Sequence, residues 1–238
     1  MLHIAIHPYR TKASSHAFLL ALHAKGYQPR VVVTDLWAEY ETILADVFPQ
    51  AVHHHCIFHA LHRTLRQLYG PDYRDTQPQV LALQEAIEAI FQARTRRTAQ
   101  KRYEALMAQQ EVYLAQLPDA LPLFAFLQRH WPRLVNGIES KTIPRTNNAA
   151  ELVIRRFDQH YQNFCGFESL QSAQLYLAVF EKVYRFTPFS QDAKPHLRGK
   201  CPLQLAGYDI SQVPMASICA GWSPDWSLNV EVALVPNL

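Results

Sequence analysis

Cysteine is scarce and follows no pattern: Cys56, Cys165, Cys201 and Cys219 lack the spacing of a disulfide framework, which fits a reduced, cytoplasmic compartment. The N-terminal stretch Met1 to Pro8 has no apolar run long enough for a signal peptide, and no later run approaches a membrane span. No internal repeat or low-complexity segment is found. Net charge is also small: +3 over 238 residues does not by itself imply nucleic acid, so any such argument must be local. What remains is a chain with 49% hydrophobic and 18% charged residues, globular in composition. It is long enough for a substantial core, as one domain with an insertion or as two small domains.

The run Val31-Val32-Val33-Thr34-Asp35 organises the first third. Three β-branched residues in a row read as a buried strand, and the strand ends at a carboxylate. In open α/β sheets such an end faces the crevice where ligands bind; the plainer alternative is that Asp35 caps the helix starting near Trp37. Around this run, Leu2 to His7 alternates like a half-buried strand, and Ser14 or Ser15 caps a helix to about Lys25. A short amphipathic helix then runs through Tyr40, Ile43, Leu44 and Val47. Ala51 to Cys56 reads as a strand, with His53 and His55 on one face and His54 on the other, and a helix follows from His59 to Tyr69. Strands alternating with helices predict an α/β fold with a mainly parallel sheet.

The middle changes character. From Gln77 to about Gln116 the composition and the spacing of Leu81, Leu83, Ile87, Ile90 and Phe91 predict two helices, with a third over Leu121 to His130. The organisation expected is therefore a core segment over 1–69, an all-helical insertion over 70–135, a return to the core over 136–190, and an irregular tail over 191–238. Within the return, Thr146-Asn147-Asn148 caps a helix carrying Glu151, and a last amphipathic helix spans about Ser169 to Phe186. The tail is proline-rich, with a strand expected at Leu228 to Val235.

Three stretches lie in the order of a known constellation: PRVVVTDLWAEY at 29–40, VFPQAVHHHCIFHALH at 47–62, and TNNAAELVIRRFDQHYQNFCGFES at 146–169. Together they resemble the catalytic domain of bacterial DDE transposases with an RNase H-like fold, in the broad group that includes Mutator-like elements. The likeness covers roughly residues 1 to 190. It implies metal-dependent DNA strand cleavage and strand transfer in the intact protein, with Asp35 and Glu151 as the second and third acids of a triad that converges on Mg²⁺ or Mn²⁺. That chemistry uses two divalent ions about 4 Å apart, and Mg²⁺ prefers hard oxygen ligands. Implied partners are DNA, as element ends and target, and the implied location is the bacterial cytoplasm at the nucleoid. The oligomeric state is open, a homo-oligomer being one alternative.

Each assignment has a plainer competitor. Glu151 could be an exposed helix carboxylate paired with Arg155 at i+4, an interaction of only a few tenths of a kcal/mol; the flanking motif favours the ligand role. Cys56 and His59 form a C-x-x-H that the resemblance sets near the active site, as support for the site; the alternative is a buried cysteine and a helix-start histidine. Zinc is not expected there, because no second pair at finger-like spacing exists. Asn147, Asn148, Arg155, Arg156, Arg145 and Lys141 are the candidate DNA contacts, whereas Arg94, Arg96, Arg97, Lys101 and Arg102 read as a solvated helix face. Trp131 is expected in the core rather than stacked on a base.

One departure from the family pattern is large. Across an RNase H-like sheet the strand order is 3-2-1-4-5, and Leu2 to His7, Val31 to Thr34 and Ala51 to His55 correspond to strands 3, 4 and 5. Strands 1 and 2, with the first catalytic aspartate, have no counterpart. The expectation is an incomplete, N-terminally truncated RNase H-like fold, inactive in isolation, with a non-catalytic DNA- or partner-binding remnant of a transposase as the alternative.

Overall fold

The computed structural model describes residues 4–163 and 165–211. It forms two compact units, Thr11–Glu151 and Met1–Arg10 with Leu152–Leu238. In the first unit, β1 (Val31–Thr34) pairs in parallel with β2 (Val52–His55), Val31 opposite Val52 and Thr34 opposite His55. Helix α1 (Lys12–Ala24) precedes β1, and α2 (Glu39–Val47) connects the two strands. A strand–helix–strand unit with parallel pairing is the α/β element expected. The pair is the whole sheet among the described residues. The three valines are half-buried and only Thr34 is buried, as befits a strand bonded on one side, so the expectation of a fully buried strand is corrected.

Two further expectations change. The chain from Ile4 to Arg10 forms no strand. Its alternating isoleucines, Ile4 and Ile6, instead pack against Val153, Phe157, Leu177 and Phe180 of the second unit, between α9 (Asn148–Asn163) and α10 (Leu170–Phe186). Apolar alternation needs only a surface to cover, and a helix pair serves as well as a sheet. Helix α1 is capped by Thr11, whose side chain accepts the Ser14 N–H in a reciprocal capping box, rather than by Ser14 or Ser15. The strand expected at Leu228 to Val235 lies outside the described residues.

After β2 the chain enters a π-helical turn, His59–Arg63, that runs into α3 (Thr64–Tyr69). Helices then follow without a strand: α4 (Tyr73–Thr76), α5 (Pro78–Phe91), α6 (Arg96–Ala108), α7 (Gln110–Gln116), a 3₁₀ turn at Pro118–Ala120, and α8 (Leu121–Leu134). Val80, Leu83, Ile87 and Ile90 of α5 are completely buried, with Val80 rather than Leu81 completing the stripe. They join Leu65, Leu123, Phe124, Leu127 and Leu134 in one core. Trp131 packs at its edge, stacked on Tyr103 at 4.0 Å between centroids, with its indole N–H donating to Gln100 at 2.9 Å. A smaller cluster joins Leu19 of α1 to Ile43, Leu44 and Val47 of α2, against Val32. In the second unit, Ser169 caps α10 through a capping box, and a short α11 (Pro202–Leu205) lies in the segment after it.

Truncating Ile87 tests where the insertion keeps its core. Ile87→Ala leaves a cavity at a site with no exposure, so it is expected to lower the stability of the Thr11–Glu151 unit by about 2–5 kcal/mol, whereas Leu121→Ala, at an exposed position, changes it by less than about 0.5 kcal/mol. Chemical denaturation of both variants measures the difference.

Candidate functional site

The two strands stop together, and their ends bring the sequence motifs into register. Asp35 directly follows β1, half-buried, and its Oδ1 accepts the N–H of Trp37 at 3.1 Å. This is a turn contact ahead of α2, whose N-cap is Ala38 without a side-chain cap bond, so Asp35 does not cap that helix and stays at the strand end. Beside it, the Cys56 N–H extends the ladder by donating to the Thr34 carbonyl at 2.8 Å. The next residue, Ile57, donates its N–H to the Arg145 carbonyl at 3.1 Å, tying the polar segment before α9 to the same place.

The C-x-x-H then makes the third connection. Cys56 is completely buried and carries a free thiol. His59, at the start of the π-turn, sets its Nε2 3.3 Å from Glu151 Oε1. Both side chains retain some exposure, 20% for His59 and 32% for Glu151, so the pair lies at a solvent-accessible edge. A π-turn is an uncommon element that tends to occur at functional sites, and His59 is its first residue. Among the described residues Cys56 joins no group of three potential metal ligands. Carboxylates such as Asp35 and Glu151 are the donor type a hard cation such as Mg²⁺ takes, but among the described residues neither joins a group of three potential metal ligands.

The candidate DNA contacts divide. Lys141, Asn148, Arg155 and Arg156 are exposed, and the Arg156 guanidinium lies over the Tyr184 ring, 5.5 Å from its centroid. Asn147 is half-buried; its carbonyl anchors the first turn of α9 by accepting the Ala150 and Glu151 N–H groups at 2.9 and 3.2 Å. Arg145 has structural work as well, since its Nη1 donates to the Phe91 carbonyl at 2.8 Å. Gly137 lies close by, where an added Cβ would stand 3.2 Å from the Arg145 side chain and 3.4 Å from His54 Nε2. Of the cluster read as a solvated face, Arg102 donates to the Ala89 carbonyl of α5, and Arg96 to the Asn136 and Ile138 carbonyls just after α8, so these two arginines also have structural bonds.

The histidines of β2 form a second constellation. His53 and His55 share a face with ring centroids 4.7 Å apart, and His54 is completely buried on the other, as the period of two requires. His55, 2% exposed, meets His130 of α8 at 4.9 Å between centroids. Glu41 of α2 completes the group, its Oε1 3.7 Å from His130 Nδ1 and its Oε2 3.3 Å from Arg133 Nη2. His53 bonds Thr34 Oγ1 at 2.8 Å. Burial withholds water from these rings and disfavours their charged forms: it lowers His53 to about 4 and His55 to about 3, with the Arg133 charge acting in the same direction on both, and also depresses His54 and His130. Sequence reasoning assigned the faces of the strand but missed Glu41 and His130, which no spacing connects to it.

These depressed values make stability depend on pH. The unfolded chain binds protons near pH 6.5 that the folded chain refuses until about pH 4 at His53 and about pH 3 at His55, so acid favours unfolding. Thermal midpoints in chelator-containing buffer are expected to be flat above about pH 7 and to decline as pH falls from about 6.5 toward 4. Replacing His55 with Gln should flatten that decline.

A comparison with protein families matches residues 2–175 to the transposase family IS66. The expected relation to Mutator-like elements has no counterpart in that match. A search of curated proteins gives no match. The family's region takes in β1, β2, the whole helical insertion, α9 and the start of α10, and with them Asp35, Cys56, His59 and Glu151. The chain belongs to the IS66 family of transposases.

Proposed function

We propose that this chain carries part of the catalytic centre for DNA strand cleavage and strand transfer in transposition, within an incomplete RNase H-like fold. One observation carries the reading: the strand-end ladder from Thr34 to Cys56 and the His59–Glu151 pair link the three matched stretches at one edge of the sheet. In this reading Asp35 and Glu151 hold a divalent cation, Mg²⁺ or Mn²⁺. Such an ion supplies activation of the attacking oxygen and stabilisation of the departing one. The parallel neighbours β1 and β2 then correspond to strands 4 and 5 of the RNase H-like sheet.

The chain's own residues do the positioning. The Trp37 N–H holds one Asp35 oxygen and sets the carboxylate's orientation. His59 steers Glu151 from the side, and Cys56, fully buried, exposes no reactive thiol. Lys141, Asn147, Asn148 and Arg145 approach the phosphate backbone from the segment before Glu151, and Arg155 and Arg156 do so from the exposed face of α9. Backbone contacts of this kind are insensitive to base sequence and sensitive to salt.

In a cell-based transposition assay that supplies the element's full transposition machinery, with its ends on a donor plasmid, Asp35→Ala and Glu151→Gln are each expected to lower the frequency by more than about 100-fold, since a metal clamp contributes several kcal/mol and about 1.4 kcal/mol corresponds to tenfold. Unchanged frequencies would remove both residues from the reaction. Independently, Lys141→Ala and Arg155→Ala are each expected to weaken binding of duplex DNA evenly across sequences and to reduce the salt slope by about one per lost phosphate contact. A fluorescence-anisotropy salt titration reads that slope.

A further inference from the structure

The cluster on the histidine face of β2 is assembled within the Thr11–Glu151 unit from the successive elements α2 and β2, which supply Glu41 and His55, and from the distant α8, which supplies His130. One ligand atom from each comes within 4.8 Å of the other two. His55 is 2% exposed and its Nδ1 is buried without a hydrogen-bond partner; His130 Nδ1 is likewise buried and unpartnered. The 3.7 Å between His130 Nδ1 and Glu41 Oε1 is too long for a hydrogen bond. Buried polar atoms are normally satisfied, so an unpartnered nitrogen on each of two histidines grouped with one carboxylate calls for an explanation.

We propose that Glu41, His55 and His130 bind a divalent transition-metal ion of the zinc type, at a site separate from the oxygen donors Asp35 and Glu151. The donor set is two imidazoles and a carboxylate, which suits Zn²⁺ and its neighbours and serves Mg²⁺ poorly. Tetrahedral ligands about 2.1 Å from zinc stand roughly 3.4 Å from one another, so donors already within 4.8 Å close on an ion by small side-chain rotations. Arg133 holds Glu41 Oε2 and so leaves Oε1 turned toward His130, the kind of outer support that orients a ligating carboxylate. Burial keeps the imidazoles neutral, with lone pairs available to the ion. Three protein ligands leave a fourth position for water. The ion joins the sheet to the helical insertion, one residue before Cys56, and so braces the strand end where Asp35 lies.

The test uses the full chain, freed of metal by chelator and dialysis, then titrated with Zn²⁺ or Co²⁺ in the presence of millimolar Mg²⁺. One ion per chain is expected, with an intense visible band for bound Co²⁺ and a rise in the thermal midpoint on Zn²⁺ addition. His130→Gln and Glu41→Gln should each weaken binding by more than about tenfold, a loss that outer-shell changes alone can reach, while Asp35→Ala and Cys56→Ser leave it unchanged. X-ray absorption at the zinc edge of the loaded wild-type chain reads the ligands without any variant: two imidazoles and oxygen, with no sulfur, is the expected result. Failure of the wild-type chain to take up Zn²⁺ at micromolar concentration, a sulfur shell, or stoichiometric binding that survives both His130→Gln and Glu41→Gln would overturn the proposal. None of these readouts depends on transposition, so the carboxylate site stands or falls separately.

Discussion

The parallel pairing of Val31–Thr34 with Val52–His55 positions nearly everything of functional interest in the Thr11–Glu151 unit. Parallel strands cannot be joined by a tight turn, so α2 must cross between them, and the crossover delivers Glu41 to the histidine face. The register then brings Thr34 level with His55, and the ladder's last bond joins Cys56 to Thr34. A slip of one residue would turn the histidines to opposite faces and carry Cys56 and His59 away from Glu151.

Three consecutive histidines on a short strand are an unusual load for a sheet this small. The strand's period forces one ring to one side and two to the other, and the surrounding helices then bury them. Burying neutral imidazole is tolerable; burying its protonated form is not, which is why the rings resist protonation. The same neutrality suits metal ligation. Arg133 and Glu41 provide the charges around this arrangement.

Helices α4 to α8 share one core with Ile57, Ala60, Leu61 and Leu65 and also reach back to the sheet. Leu123, Phe124, Leu127 and Leu134 turn one side of α8 into that core, and His130 and Arg133 meet the histidine face and Glu41. Asn136, just past α8, donates from its side chain to the His53 carbonyl at 3.1 Å. Through Arg145 the polar segment before α9 bonds both to Ile57 and to Phe91 at the end of α5. Glu151 is thereby anchored from two directions, a more rigid placement than a helix cap alone would supply.

Local patterns settled a good deal without coordinates. The β-branched run at 31–34, the alternation of the histidines and the helical period over 77–116 and 121–130 each depend on side-chain chemistry over a few residues; the two strands and α8 formed where indicated, whereas 77–116 folded as three helices, α5 to α7, instead of two. The resemblance of three ordered stretches likewise identified a transposase from residues alone. The alternation of Ile4 and Ile6 misled, because period two records only that one face is apolar and says nothing of whether a strand or a helix pair covers it. Nor could spacing reveal that His130 meets Glu41 and His55, or that Glu151 turns to His59: those contacts join residues dozens of positions apart. Propensity acts along the chain, whereas burial and ligation act across it, so the elements were legible in the sequence and their meeting points were decided by tertiary packing.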